Sequence, residues 1–191
     1  MTFLPSTPED LPVIAGLYRE AIEYQRSKSA THYWHGMNLE LITLEIRDRL
    51  HWKIVVDDRI ACFFSIAFTD PLVWDERDAE PSLYLHRIVT NPLFRGNGYV
   101  KHIIAWAEEY GRMQHRYFIR LDTGSENQKL NSYYLECGFT YCGEKKFSRT
   151  DASPGIPEHY RGHTLTLFER KITEAPGPSP STEVHTPEAG S

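Results

Sequence analysis

The segment RGNGYV at residues 95–100 has the composition of an anion-binding turn. Gly96 and Gly98 have no Cβ, so an anion can approach the backbone N–H groups of this turn closely. Apolar residues then recur at helical spacing at Val100, Ile103, Ile104 and Ala107. The first N–H groups of a helix are unpaired and lie at the positive end of its dipole. The sequence therefore predicts a phosphate site where this helix begins.

Two familiar phosphate motifs do not describe this turn. A Walker loop requires G-x-x-x-x-G-K-[ST], and no glycine-lysine pair stands at that distance from Gly96 or Gly98. A dinucleotide fingerprint requires G-x-G-x-x-G, and Lys101 stands at its third glycine position. The plain alternative is that the two glycines only shape a tight turn before a helix.

Runs of β-forming residues predict the strands that must position this turn. They are TFLP, WKIVVD, IACFFSIAF, SLYLHRIVT and YFIRLDT, followed by a closing pair, TYCGEKKFS and HTLTLFERK. Asp58-Arg59 is predicted to join the second and third strands in a hairpin, and the third strand is apolar enough to be covered on both faces. The fourth strand leads into the glycine turn, so strand, turn and helix follow in order. The charged segment WDERDAE before the fourth strand is predicted to be a loop.

Apolar spacing predicts three further helices. The first begins at Thr7 and Pro8 and carries Leu11, Ile14, Leu17, Tyr18, Ala21 and Ile22, ending near Arg26. The second carries Leu41, Leu44, Ile46 and Leu50. The last carries Leu130, Tyr133, Tyr134 and Cys137, with a capping box of Ser125 and Gln128 at its start and Gly138 at its end.

Length and composition favour one folded domain with a tail. The 191 residues are 40% hydrophobic and 13% aromatic, which is enough for one sizeable core. Residues 174–191 are rich in Pro, Ser and Gly and hold almost no core-forming side chains. We therefore expect a single domain at residues 1–173 and a disordered tail at residues 174–191.

Charge and hydropathy exclude several classes of partner. The formal net charge is −5, and three of the acidic residues lie in the tail, so the rest of the chain offers no basic field for nucleic acid. The longest apolar run, residues 60–68, is far shorter than the roughly 20 residues that span a bilayer. We expect a cytoplasmic protein, monomeric or homodimeric, without nucleic-acid or membrane partners. Cys62, Cys137 and Cys142 lack further ligands in a metal-binding pattern, so we expect reduced structural thiols and no metal.

Two separated motifs together resemble the GCN5-related N-acetyltransferase (GNAT) superfamily. The family pattern [Q/R]-x-x-G-x-[G/A] lies between a strand and a helix, and Arg95, Gly98 and Val100 map onto it after the sequence IVTNP. Val100 departs from the final Gly or Ala of the pattern. The second motif, N-x-x-L-x-x-x-Y-x-x-x-G-F, occupies residues 127–139. The order of predicted elements from Thr2 to about Lys171 also agrees with the family.

The resemblance implies an α+β fold. Its central sheet is twisted and mixed, mostly antiparallel, with about seven strands flanked by about four helices. The fourth and fifth strands are splayed apart in this fold.

The resemblance also implies acetyl-CoA as the acetyl donor. Its pyrophosphate would bind the backbone N–H groups of Arg95, Gly96, Asn97, Gly98, Tyr99 and Val100. Its pantetheine arm would pair with the backbone of Ile88, Val89 and Thr90 as an added strand would. Asn127 matches a cofactor-contacting asparagine of the family, with Leu130, Tyr133 and Tyr134 on the same helix. The alternative role for Asn127 is that of a helix-start residue.

The same resemblance suggests the catalytic groups. Tyr134 occupies the family position of the acid that protonates the leaving sulfur, whose ordinary pKa is about 8.5, while Tyr133 is better suited to packing. The best candidate base is His86, because the ordinary pKa of histidine lies near neutrality. A structural or substrate-positioning role for His86 stays open, and Glu20, Glu23 and Asp122 are alternative bases acting through water. In an ideal strand Arg87 would face away from His86, but a bulge would change this.

These features predict an acetyl-CoA-dependent N-acetyltransferase. It would move the acetyl group to a primary amine of a small molecule or peptide by direct attack in a ternary complex. The acceptor is expected near Tyr33, Trp34, Tyr84 and His86, with His35, His159 and Tyr160 as further candidates. One alternative is a non-catalytic acyl-CoA sensor or scaffold, which needs the glycine turn but neither Tyr134 nor a base. Another is a structural domain that binds no CoA.

Overall fold

A seven-stranded sheet organises the computed structural model, which describes residues 1–28, 34, 36–150, 156 and 160–173. The strands are β1 (Thr2–Pro5), β2 (His51–Val56), β3 (Arg59–Ala67), β4 (Ser82–Thr90), β5 (Phe118–Gly124), β6 (Thr140–Lys146) and β7 (Thr164–Lys171). They lie in the order β1-β2-β3-β4-β5-β7-β6, and every neighbouring pair is antiparallel except β4 and β5, which are parallel. This confirms the predicted mixed, mostly antiparallel sheet.

Five α-helices connect the strands in the described part of the chain. They are α1 (Leu11–Lys28), α2 (Leu39–Arg47), α3 (Pro71–Trp74), α4 (Tyr99–Met113) and α5 (Gln128–Glu136). Four were expected, and the additional one, α3, is a single turn. The segment predicted as a charged loop continues from it as a 3₁₀ helix at Asp75–Ala79. None of the described helices is long and apolar enough to cross a membrane. The predicted disordered tail, residues 174–191, lies outside the described residues and stays a prediction.

The helices cover the two faces of the sheet separately. α4 and α5 pack on one face, where Ile103, Ile104 and Tyr134 meet inward residues of β3, β4, β5 and β7. α1 and α2 pack on the other face, where Ile14 and Ile42 belong to a second cluster. Residues 61–66 of β3 are buried throughout, which confirms that this strand is covered on both sides.

The apolar face of α2 differs from the predicted one. Ile46 is buried as predicted, at 5% exposure, but the second buried residue is Ile42, at 2%, and Leu41 and Leu44 are about 40% exposed. The spacing of four between the two isoleucines defines the buried stripe, and Leu50 lies beyond the end of the helix. The helix has only nine residues, so its periodicity alone did not distinguish the two faces.

The β2–β3 turn and the start of α5 also differ from the prediction. The β2–β3 turn is centred on Asp57 and Asp58, whose φ values of 48° and 57° are those of a type I′ turn, and Arg59 already belongs to β3. At the start of α5 the cap is Asn127, whose side chain accepts a hydrogen bond from the N–H of Leu130 at 3.2 Å. The predicted capping box of Ser125 and Gln128 is therefore wrong. Gly138 does end α5, with a φ of 83°.

The parallel pair β4–β5 is joined only at its beginning. Ser82 pairs with Phe118, Leu83 with Ile119, and Tyr84 with Arg120. Beyond these pairs β5 continues alongside β7 as far as Gly124, while β4 continues alongside β3 as far as Thr90. The two strands therefore form a fork that opens after Tyr84 and Arg120, as the splayed fold requires.

Arg120 fixes the base of this fork. Its side chain is fully buried, and its guanidinium donates to Glu169 at 2.7 Å, to the backbone oxygen of Arg77 at 2.5 Å, and to Glu80. The guanidinium carbon also lies 4.8 Å from the centre of the Trp74 ring. A buried cation needs such partners because its desolvation is costly.

We expect Arg120→Met to lower the free energy of unfolding by about 3 kcal/mol, because it breaks a buried charge network. Urea unfolding measures this change. The control is Arg47→Met, which removes an exposed ion pair with Asp48 and should cost less than about 1 kcal/mol. Equal costs for the two variants would show that the Arg120 network does not stabilise the fork.

Candidate active site

The glycine turn before α4 has the geometry of an anion site. Gly96 and Gly98 have φ values of 86° and 67°, which only glycine adopts without strain. A Cβ added at either position would meet no atom within 4 Å, so the space above the turn is open. Within the described part of the chain, the backbone N–H groups of residues 96–100 donate to no acceptor. The predicted phosphate site is therefore physically available.

A cavity of about 340 Å³ lies over this turn. It is lined by Thr90, Arg95, Gly96, Asn97, Gly98, Tyr99, Val100 and Tyr133. The guanidinium of Arg95 lies 4.6 Å from the centre of the Tyr24 ring, so α1 holds this positive charge beside the turn. The side chain of Asn97 donates to the backbone oxygen of Phe94 at 2.9 Å and fixes the turn itself. The cavity thus combines a positive charge, free N–H groups and open space, which suits a phosphate group.

The other predicted cofactor residues do not all line this cavity. Ile88, Val89 and Thr90 occupy the part of β4 beyond the fork, where no strand of the described residues pairs with it on its β5 side. Their backbone is therefore open to an added strand on that side. Asn127 serves as the cap of α5, and Leu130 packs against the core, so neither lines the cavity.

A β-bulge in β4 places His86 and Arg87 on the same side of the sheet. Between the pairs Ser65–His86 and Phe63–Val89, β4 contains one more residue than β3. The extra residue is Arg87, whose φ is 50°. Its guanidinium bonds to Glu45 of α2, so it points to the α1–α2 face, the face that His86 shares with Tyr84. The bulge that the sequence analysis allowed for is therefore present.

A polar cluster lies where the fork opens on this face. His86 and Asp122 each stand two residues beyond the last paired residues, Tyr84 and Arg120. Asp70, just before α3, completes the cluster, with its Oδ2 3.7 Å from Nε2 of His86. One ligand atom from each of the three side chains lies within 4.8 Å of the others. Such a group can exchange protons, and its spacing would also admit a metal ion.

Burial perturbs all three pKa values in this cluster. It raises the pKa of Asp122 to about 7, with a further contribution from the negative charge of Asp70. It raises the pKa of Asp70 to about 6. Burial, followed by the positive charge of Arg87, lowers the pKa of His86 to about 3. The argument for His86 from the ordinary pKa of histidine therefore does not apply at this position, whereas Asp122 titrates near neutrality.

Tyr134 approaches the fork from the opposite face. Its ring is 7% exposed and packs on Phe139 and Phe168, with ring centres 5.9 and 5.8 Å away. Burial raises the pKa of Tyr134, and the nearby charge of Asp122 raises it further. The hydroxyl therefore keeps its proton at neutral pH and has no hydrogen-bond partner among the described residues. The adjacent Tyr133 lines the cavity instead.

The residues expected around the acceptor have different positions in the structure. Trp34 packs on Tyr18, with ring centres 5.5 Å apart. Tyr84 is a fully buried core residue whose hydroxyl accepts from Arg120 at 3.4 Å. Tyr33, His35 and His159 lie outside the described residues. Tyr160 is near the cluster, because the charges of Asp122 and Asp70 raise its pKa, after burial. Glu20 and Glu23 are exposed on α1.

Sequence reasoning missed Asp70, Glu45 and Tyr18 as members of this region. Asp70 stands before Pro71 in a segment with no motif, and Glu45 lies on a helix whose buried face was predicted wrongly. The available signal was the pair of buried isoleucines on α2, which places Glu45 beside the inward face of that helix. Tyr18 was predicted as a core residue, and its aromatic ring is indeed in the core.

Sequence comparison identifies relatives of this chain. A sequence model described as the acetyltransferase (GNAT) family matches residues 14–139. The chain is 26% identical over 177 residues to the uncharacterized N-acetyltransferase YesJ of Bacillus subtilis (strain 168), a match that covers 88% of this chain and 89% of that protein.

Structural comparison finds the same fold in solved structures. An acetyltransferase of the GNAT family from Listeria monocytogenes aligns with a TM-score of 0.71 at 23% identity, covering 90% of this chain and 94% of that one. The putative acetyltransferase yncA from Salmonella typhimurium, solved with its cofactor acetyl-CoA, aligns with a TM-score of 0.63 at 13% identity, covering 94% of this chain and 98% of that one. At these identities the alignments show a shared fold.

Proposed function

This chain belongs to the acetyltransferase (GNAT) family and is an N-acetyltransferase, and we propose that it moves an acetyl group from acetyl-CoA to a primary amine of a small molecule or peptide. The transfer would be a direct attack in a ternary complex. The observation that carries this proposal is the fork between β4 and β5. The cavity over the glycine turn includes Thr90 at the end of β4, and the cluster of Asp70, His86 and Asp122 lies where the fork opens.

The residues around the turn fit acetyl-CoA. The free N–H groups of residues 96–100 and the guanidinium of Arg95 would hold its pyrophosphate. The unpaired edge of β4 at Ile88–Thr90 would hold its pantetheine arm, which leads towards the fork. The bound cofactor would supply the acetyl group as a thioester. The Salmonella protein has acetyl-CoA as its cofactor, which supports the same donor here.

Two side chains are placed to move protons at the fork. Asp122, with a pKa near 7, would accept the proton that the acceptor amine loses. Tyr134, which stays protonated at neutral pH, would donate its hydroxyl proton to the departing sulfur. His86, whose Nε2 lies 3.7 Å from Oδ2 of Asp70, would position the amine as a neutral imidazole. The base proposed from the structure is thus Asp122, which was an alternative to His86 in the sequence.

An acceptor screen tests the proposed function directly. The full chain is incubated with acetyl-CoA and a panel of primary amines, and release of free thiol is followed. Thiol release that depends on the amine, with the acetylated amine identified by mass spectrometry, is the expected result. Binding of CoA in calorimetry without thiol release from any amine would contradict catalysis and favour the sensor alternative.

The pH dependence of turnover should report Asp122. We expect kcat at saturating amine to fall as the pH drops below about 7, because protonated Asp122 cannot accept a proton. Asp122→Asn should lower kcat by about 10²-fold and remove this titration. If kcat of Asp122→Asn still fell below about pH 7, and kcat of His86→Gln did not, the base would be His86.

A stability measurement tests the raised pKa of Asp122 independently of turnover. Burial raises the pKa of Asp122 from 3.8 to about 7, so its contribution to stability is present at low pH and is lost as the pH rises through 7. Asp122→Asn should therefore unfold at a higher temperature than the parent at pH 8 and at a similar temperature at pH 4. The gain at pH 8 should be about 1–3 kcal/mol.

Chelation tests the expectation that no metal takes part. Asp70, His86 and Asp122 would be the ligands of any ion at the fork. We expect turnover to be unchanged by EDTA and by added zinc or magnesium. Loss of turnover on chelation, restored by one metal, would assign the cluster to a metal site instead.

A further inference from the structure

Arg87 has hydrogen-bonding capacity that the protein does not use. Its Nη2 donates to Glu45, while its Nε is buried without a partner and its Nη1 donates to none of the described residues. The side chain is 28% exposed, so solvent reaches part of it. The hydroxyl of Tyr18, a residue only 2% exposed, is likewise buried without a partner among the described residues.

These unused donors lie at the fork rather than at a remote surface. The bulge turns Arg87 towards the face that His86 occupies, one residue earlier in the chain. Burial, followed by the positive charge of Arg87, lowers the pKa of His86. Burial and the charges of Asp122 and Asp70 raise the pKa of Tyr160, and the charge of Arg87 opposes this rise. Arg87 therefore adds a positive charge on the same face as the acidic side chains of the polar cluster.

The unpaired donors of Arg87 favour an acceptor that carries one negative group. The second cation of a polyamine would leave these donors without an acceptor. A phosphate dianion would place extra negative charge beside Glu45 and Asp70. A carboxylate carries a single charge on two oxygens, and a guanidinium binds it through parallel N–H donors.

From these observations, and resting on the acetyltransferase function proposed above, we infer that the acceptor is an amino acid or an amino-acid derivative with a free carboxylate. Arg87 binds the carboxylate, and the amine faces Asp122 across His86. Glu45 holds the guanidinium from α2. The substrate class is thus a compact zwitterion rather than a polyamine or an amino sugar.

A matched substrate series tests this inference. Acetyl transfer is compared for an L-amino acid, its carboxamide and its decarboxylated amine, for example tyrosine, tyrosinamide and tyramine, and is repeated for other side chains. Each kcat/KM is corrected for the unprotonated fraction of the amine. We expect the carboxylate to be favoured over the carboxamide by about 10- to 100-fold, mainly through KM.

Variants test whether Arg87 causes the preference for the carboxylate over the carboxamide. In Arg87→Gln the ratio between carboxylate and carboxamide should fall towards one, and Arg87→Lys should restore part of it. The control Arg49→Gln removes the same charge from an exposed turn after α2 and should keep the parent ratio. If Arg87→Gln does not fold, the pair Arg87→Gln with Glu45→Gln removes both charges together.

The outcomes distinguish this inference from the function on which it rests. Equal rates for the three members of the series, or a preference for the decarboxylated amine, would overturn the carboxylate while leaving acetyl transfer intact. An unchanged ratio in Arg87→Gln would show that Arg87 only pairs with Glu45. No thiol release with any amine would overturn both the inference and the proposed function.

Discussion

Gly98→Asp should weaken acetyl-CoA binding by about 10³-fold. A carboxylate about 4 Å from the pyrophosphate would cost about 4 kcal/mol at an effective dielectric constant of 20. The substitution also introduces a Cβ at a φ of 67° and fills the open space above the turn. Both effects oppose the cofactor at the start of α4, and isothermal titration calorimetry measures the loss.

A second glycine gives a matched control for this variant. Gly143 in β6 has a φ of 108°, and a Cβ added there meets no atom within 4 Å. Gly143→Asp therefore introduces at least as much backbone strain and the same charge on a strand that does not line the cavity. It should bind acetyl-CoA as the parent does. If both variants bind equally well, the turn at Gly98 is not the phosphate site and serves only to begin the helix.

Tyr134→Phe should lower turnover by about 10² to 10⁴-fold while leaving the fold in place. The ring that packs on Phe139 and Phe168 is retained, so the thermal unfolding midpoint and the affinity for acetyl-CoA should change little. The hydroxyl, which keeps its proton at neutral pH, is removed. The departing sulfur would then leave without a proton donor. Single-turnover thiol release, which isolates the chemical step, is the appropriate measurement.

Tyr133→Phe is the control for this prediction. Tyr133 is the neighbouring residue and lines the cofactor cavity, so loss of its hydroxyl should affect the affinity for acetyl-CoA more than the chemical step. The defect of Tyr134→Phe should also diminish at high pH, where the thiolate leaves more easily without protonation. Full single-turnover rates in Tyr134→Phe would assign the proton donor to another residue or to water.

The comparison of α4 and α2 shows how far local patterns go. The stripe of Val100, Ile103, Ile104 and Ala107 was predicted correctly, because a 15-residue helix repeats its apolar face several times. The nine residues of α2 contain apolar side chains on more than one face, and only packing against α1 and the strands β3 and β4 decided which face is buried. Long periodic segments thus determine their own orientation, whereas short ones depend on their neighbours.

The features of the site also separate into those that local patterns predicted and those that depend on tertiary packing. The sequence by itself determined the glycine turn, the helix after it, the order of strands and helices along the chain, and the pair Tyr133 and Tyr134 on one helix. Each of these features is encoded by residues that are close together in the chain. Only the tertiary structure decided that Asp70, His86 and Asp122 form one cluster and that Arg87 shares its face. The fork brings distant strands together, the bulge reverses the alternation of side chains, and burial moves the titration of Asp122 to neutrality. These effects depend on distance and desolvation in three dimensions, which no local pattern of residues specifies.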